Sequence, residues 1–219
     1  MRKEIIEQVK EKKIIVIVRK VYKKDCENLI HALWEGGIRL VEFTFDQDHP
    51  DEWIETCNNI SSAKEKYNGK MFVGAGTVLT RDQVHLAKKA GASFVISPDV
   101  KEEVIKETLN QDMVSIPGAF SPSEIVSAYD WGADFVKVFP AGNLGASYIR
   151  AIKGPLNHIP LLAVGGVSYK NIGEFLKAGA AGAGLGGEIV DKNRIAAGDF
   201  AKITEIAHLT IEKCMEGVS

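Results

Sequence analysis

Lys137 is the single charge inside the apolar stretch Phe135-Val-Lys-Val-Phe139, which runs from Asp134 to Pro140. In an extended chain, side chains alternate sides, so Phe135, Lys137 and Phe139 share one face while Val136 and Val138 share the other. An ammonium between two phenylalanine rings loses hydration, which favours the neutral amine and lowers its pKa. A neutral amine is a nucleophile able to form a Schiff base with a carbonyl carbon. The same stretch also fits a lysine held in a buried ion pair for structural reasons, since such pairs perturb pKa as well. Two further ionisable residues bear on that choice. Arg19 ends the run Ile14–Val18 with the parity of Ile15 and Ile17, and Glu42 lies within Ile38–Phe45 with Thr44 on its face. Facing inward together, they would bring an amine, a carboxylate and a guanidinium into one place. That is the minimum set for imine chemistry on an oxo acid: the lysine attacks a ketone, the glutamate relays protons and the arginine neutralises a carboxylate. The plainer alternative is a structural Arg–Glu–Lys network, which costs desolvation and adds little stability.

A second constellation is built from glycine. Gly165-Gly166 follows Pro160–Val164, and Gly186-Gly187 follows Ala181–Leu185. Backbone N–H groups at such turns, with a helix N-terminus opening near Ser168, would bind an anion, and phosphate is the expected one. Tight turns and close packing also call for glycine, so each run alone says little.

These residues have to be positioned by the elements around them. Residues 2–12 read as an amphipathic helix, followed by eight strand-like runs: 14–18, 38–45, 71–73, 93–96, 113–116, 134–139, 160–164 and 181–185. Helical segments lie between them near 24–35, 50–67, 80–90, 100–110, 121–131, 145–153 and 168–178, with a last helix over about 198–215. Thr80, Ser121-Pro122 and Ser168 offer helix caps. Glycines at 36–37, 91, 132 and 179 stand where helices end and the chain turns into a strand. Short apolar strands alternating with amphipathic helices make a parallel sheet covered by helices. Eight such units favour an α/β fold of the (β/α)8 TIM-barrel type with a short N-terminal helix, one domain over 1–219. In that architecture chemistry sits at the C-terminal ends of the strands, where Arg19, Glu42, Thr77, Pro98 and Lys137 all fall.

Composition narrows the function classes. The formal charge of −2 gives no electrostatic case for a nucleic-acid partner. Three cysteines without a CxxC pair fit a reduced, cytoplasmic protein, and five histidines form no metal-binding pattern, so no metal is expected. The charged N-terminus does not read as a signal peptide, and no membrane span is expected.

On these residues the chain resembles the 2-keto-3-deoxy-6-phosphogluconate and 2-keto-4-hydroxyglutarate aldolase family, class I enzymes that also include a 2-keto-3-deoxy-6-phosphogalactonate branch. The ordered set is VRK at 18–20, VEFTF at 41–45, VGAGTVLT at 73–80, FVISPD at 94–99, IPGAFSPSE at 116–124, FVKVFPAG at 135–142 and AVGGVS at 163–168. The resemblance implies a Schiff-base aldolase with no cofactor, with pyruvate and an oxo-acid phosphate as ligands, and a cytoplasmic homotrimer. It matches Lys137 to the imine lysine and Glu42 to the general acid/base. Arg19 and Thr77 match groups on the pyruvate carboxylate, Pro98 and Phe139 match the pyruvate pocket, and Gly165, Gly166, Gly186 and Gly187 match the phosphate-binding backbone.

The chain departs from the gluconate pattern at Ala163-Val164 and Gly186-Gly187, which look more like the galactonate branch. Asp46-Gln47 matches neither branch, and a carboxylate facing the site would repel an anionic substrate. Two rival readings use the same pocket. One is a phosphosugar isomerase or epimerase with Glu42 as base, and the other is a phosphosugar-binding protein without turnover.

Overall fold

The β-branched run at 14–18 forms β1 (Ile14–Val18), and its parallel neighbours are β2 (Leu40–Thr44) and β9 (Gly182–Leu185). The computed structural model describes residues 2–218. Beyond β2 the sheet continues through β3 (Phe72–Gly76) and β4 (Phe94–Ile96) to β5 (Val114–Ile116). Beyond β9 it continues through β8 (Leu161–Val164) and β7 (Val136–Val138) to β6 (Gly118–Ala119). The strand order is therefore β5-β4-β3-β2-β1-β9-β8-β7-β6.

The nine strands are an eight-stranded barrel whose fifth strand is broken. Only Pro117 separates β5 from β6, and proline has no N–H to give to a ladder. Main-chain bonds bridge the break on both sides. Ser97 N–H donates to Ile116 O at 3.2 Å and Gly118 N–H to Asp99 O at 3.2 Å. On the other flank Phe135, Lys137 and Phe139 donate to Ser115, Pro117 and Ala119 at 3.3, 2.9 and 3.0 Å. The ring closes through these contacts.

The helices largely follow the sequence pattern. They are α1 (Arg2–Lys12), α2 (Lys23–Glu35), α3 (Trp53–Lys66), α4 (Arg81–Ala90), α5 (Glu102–Asn110), α6 (Pro122–Asp130), α7 (Ala141–Leu144), α8 (Ala146–Lys153), α9 (Ile172–Lys177), α10 (Lys192–Ala196) and α11 (Phe200–Val218). Thr80 caps α4 by accepting from Gln83 N–H, and Ser121 and Glu124 form a reciprocal capping box on α6. Gly91, Gly132 and Gly179 take φ of +98°, +99° and +102° as α4, α6 and α9 give way to the next strands. Ser168 is not a cap. The helix expected from 168 starts at Ile172, after Asn171. Ser168 instead takes part in a turn, in which its N–H donates to Asn171 Oδ1 at 2.8 Å. The short helices α7 and α10 were not expected from the sequence, because neither is long enough to show a helical period.

Two apolar layers hold the barrel. Its outer surface and the helices form one continuous core. Its interior is filled by Ile15, Leu40, Phe94, Ile96, Val114, Ile116, Phe135, Leu162 and Val164. The α1 residues Ile5 and Val9 join this inner set and are 2% and 0% exposed, so α1 closes the barrel at the end away from Lys137. A two-pronged ion pair ties it there. Arg2 donates from its guanidinium to both carboxylate oxygens of Asp134, at 2.7 and 3.1 Å.

If α1 is an integral floor, Ile5→Ala should remove about 2–4 kcal/mol of stability, the usual cost of emptying a buried isoleucine site. Urea unfolding measures this. A loss below about 0.5 kcal/mol would mean that α1 is only loosely attached.

Candidate active site

Lys137 occupies the middle of β7, opposite Gly118 on β6. Phe135 below it is fully buried, whereas Phe139 above it is 39% exposed and marks the open end. The Nζ lies 4.8 Å from the centroid of the Phe139 ring. Lys137 itself is 7% exposed. Burial pushes its amine below the ordinary lysine range and the Arg19 charge adds to this, while Glu42 opposes both.

Glu42 sits in the middle of β2, and space for it comes from the neighbouring strand. A Cβ on Gly76 would lie 2.1 Å from Glu42 Oε1, so the inward glycine of β3 is what lets the carboxyl in. One layer down, Gly74 makes room in the same way for the Phe94 ring. Glu42 is 2% exposed, and its Oε2 has no hydrogen-bond partner among the described residues. Burial raises its pKa to about 7, against the pull of Lys137 and Arg19. A buried amine and a buried carboxyl thus act on each other from strands on opposite sides of the barrel, each with its proton equilibrium moved towards neutral pH.

Arg19 lies just past the end of β1 and is exposed at the open end of the barrel. Its charge still acts on both Glu42 and Lys137. Arg19 and Thr77 line one small cavity of about 150 Å³, together with Lys20, Thr44, Phe45, Asp46, Gln47 and Asp48. Thr77 has φ +56°, an uncommon backbone for a β-branched residue. Gln47 Nε2 donates to the Thr77 carbonyl at 2.7 Å, and Gln83 Nε2 donates to Gln47 Oε1 at 3.1 Å. Pro98 and Phe139 line a separate cleft of about 430 Å³ with Gly118, Trp131 and others.

The two glycine turns come together. Val167 and Ser168 share a crevice with Gly186 and Glu188. Gly165 and Gly166 have φ of +85° and +73°, and added Cβ atoms would lie 2.9 Å from the Phe139 ring and 3.0 Å from Gly142 Cα. These two glycines have steric reasons to be there. Gly187 has none, since nothing lies within 4 Å of its absent Cβ. Among the described residues, the N–H groups of Gly166, Val167, Gly187 and Glu188 donate to no protein acceptor. The expected helix N-terminus is missing from this site because α9 begins only at Ile172. Sequence reasoning also missed two ion pairs at the rim: Lys170 Nζ meets Glu188 Oε1 at 2.8 Å, and Lys20 Nζ meets Asp46 Oδ2 at 2.5 Å. Asp46 was visible as an unexpected carboxylate, but its partner was not. Among the described residues, no group of three or more His, Cys, Asp or Glu side chains could hold a metal ion.

The raised pKa of Glu42 has a consequence for stability. The unfolded chain ionises this carboxyl near its ordinary value of 4.5, whereas the folded chain keeps the proton until about 7. Between those values the folded state binds more protons, so stability falls as pH rises, by about 1.4 kcal/mol per pH unit. Glu42→Gln cannot titrate and should escape this loss. Compared at pH 5 and pH 8 by urea unfolding, the variant should gain about 2–3 kcal/mol relative to the parent at the higher pH. Parallel curves would place Glu42 in a solvated site.

The chain is similar to known proteins over most of its length. A family model described as "Aldolase: KDPG and KHG aldolase" matches residues 5–206. The chain is 35% identical over 190 residues to a probable 2-dehydro-3-deoxy-6-phosphogalactonate aldolase of Rhizobium meliloti (strain 1021), covering 86% of each protein. It is 32% identical over 209 residues to the 2-dehydro-3-deoxy-phosphogluconate aldolase of Treponema pallidum (strain Nichols), covering 95% of this chain and 96% of that one. Among solved structures it is similar to the KDPG aldolase of Legionella pneumophila, with pyruvate captured at low pH as a covalent carbinolamine intermediate. That match has TM-score 0.81 and 28% identity, and covers 91% of this chain and 94% of that one. The chain belongs to the KDPG and KHG aldolase family.

Proposed function

We propose that this protein is a class I aldolase. It cleaves a 2-keto-3-deoxy-6-phospho sugar acid to pyruvate and glyceraldehyde 3-phosphate, and accepts 4-hydroxy-2-oxoglutarate as a further substrate, yielding pyruvate and glyoxylate. The observation that carries this reading is the burial of Lys137 and Glu42 in one barrel, which holds the amine below the ordinary lysine range and raises the carboxyl to about 7.

The chemistry follows from those two groups. Lys137 Nζ attacks C2 of the oxo acid to give a carbinolamine, and Glu42 supplies the proton that leaves with the hydroxyl as water. The resulting protonated imine withdraws electrons from the C3–C4 bond. Glu42 takes the proton of the C4 hydroxyl, the bond pair moves into an enamine, and the aldehyde departs. Protonation at C3 and hydrolysis release pyruvate and the free amine. A carboxyl with pKa near 7 suits both directions of transfer at neutral pH.

The surroundings support the substrate class. Arg19 and Thr77 would receive the carboxylate, while Pro98 and Phe139 would flank the pyruvate methyl and C3. The unpartnered N–H groups at Gly166, Val167, Gly187 and Glu188 would receive the phosphate. The galactonate-branch relative and the phosphogluconate relative leave both C4 epimers in play. The reading includes a cytoplasmic homotrimer, and three cysteines present as free thiols suit a reducing compartment. No helix among the described residues is long and apolar enough to cross a membrane.

Borohydride reduction in the presence of pyruvate tests the imine. Intact mass should rise by one reduced pyruvate, with peptide mapping placing the adduct on Lys137. Lys137→Ala should lose both adduct and cleavage. Glu42→Gln should keep its fold and lower kcat by ~10²–10⁴-fold. An unmodified Lys137 alongside measurable pyruvate binding would favour the isomerase or binding-protein reading.

A further inference from the structure

The small cavity that holds Arg19 and Thr77 contains a second cation. Lys20 Nζ lies 2.5 Å from Asp46 Oδ2, and both residues line that cavity. Asp46 is not an ordinary surface partner. Its side chain is 8% exposed, while that of Lys20 is 41% exposed. Asp46 Oδ1 accepts from the Asp48 N–H at 3.2 Å, and the Asp46 carbonyl accepts from Trp53 Nε1 at 2.6 Å. The carboxylate is fixed from behind and presents one oxygen to the lysine.

Backbone conformation points to the same place. Lys20 has φ +55° and Thr77 has φ +56°, and both face the cavity. Non-glycine residues in this region cost energy, and a surrounding structure must hold them there. The loop after β2 does so on both flanks: Asp46 grips Lys20, and Gln47 grips the Thr77 carbonyl. One loop thereby holds both Lys20 and the Thr77 main chain at the cavity. The contact is an ion pair, since Asp46 Oδ2 has no partner of hydrogen-bond geometry among the described residues.

We propose that Lys20 is a second cationic contact, beside Arg19, for the carboxylate of the oxo acid, and that Asp46 is the positioning residue that aims its ammonium into the cavity. The inference rests on the proposed imine chemistry. It makes Asp46 a helper of anion binding, although its own charge has the wrong sign. Coulomb's law decides between the two roles by direction. A carboxylate that only repels the substrate would weaken binding, and its removal would tighten it. A carboxylate that orders a lysine would do the reverse.

The test uses the intact protein and pyruvate itself, with the borohydride-trapped adduct on Lys137 read against pyruvate concentration. Lys20→Met should raise the half-saturating concentration about tenfold, as expected for one charge-assisted hydrogen bond, with a smaller effect on the limiting rate of trapping. Lys20→Arg should recover most of the loss. Asp46→Asn should raise half-saturation as well, and Lys20→Met/Asp46→Asn should be no worse than Lys20→Met alone. Unchanged half-saturation in Lys20→Met, or tighter binding in Asp46→Asn, overturns the proposal while leaving the aldolase reading intact. Absence of any adduct in the unaltered protein overturns both.

Discussion

Two ionisable groups are kept out of water inside the same barrel, and the rest of the structure is arranged to tolerate that. Desolvation works against charge on Lys137 and on Glu42 alike. Each opposes the shift in the other, so neither is moved as far as burial alone would move it. Gly76 opens the space for the carboxyl, and Phe135 seals the space beneath the amine. Chemistry at neutral pH depends on this balance more than on any single contact.

The barrel wall around this pair is less regular than the fold requires. Its fifth strand is broken at Pro117, beside the strand that carries the lysine, and the main chain of Lys137 bonds to the Pro117 carbonyl. Phe139, just past the same strand, covers Gly165. The same ring centroid lies 4.8 Å from Lys137 Nζ. The geometry therefore couples the two ends of the site through one short segment, residues 135–139.

Much of this was legible in the sequence. Ile14–Val18 became a strand at the same residues because a β-branched run bounded by polar residues has few alternatives. The alternation in 135–139 placed Lys137 inward, whereas the third strand, expected at 71–73, runs on to Gly76 because Gly74 and Gly76 leave room for the Phe94 ring and the Glu42 carboxyl. What stayed hidden depends on contacts remote in sequence. Lys20 and Asp46 lie on different strand ends, so their pairing emerges only when β1 and β2 are side by side. Arg19 kept the right parity yet stands above the rim, because β1 stops at Val18. Ser168 had the chemistry of a cap, but a turn closed by Asn171 came first.

The ion pair between Arg2 and Asp134 spans 132 positions of the chain. During synthesis the floor helix emerges well before its anchor, which follows 132 positions later. Until then the apolar side of that helix has neither a complete barrel to close nor a carboxylate to hold it. Non-local contacts of this kind are formed late and slow the search for the native state. The segment that anchors the floor also carries Lys137, three residues on. The barrel closes later still, when β9 pairs with β1, so the surroundings of Lys137 are complete only once the last strand is in place.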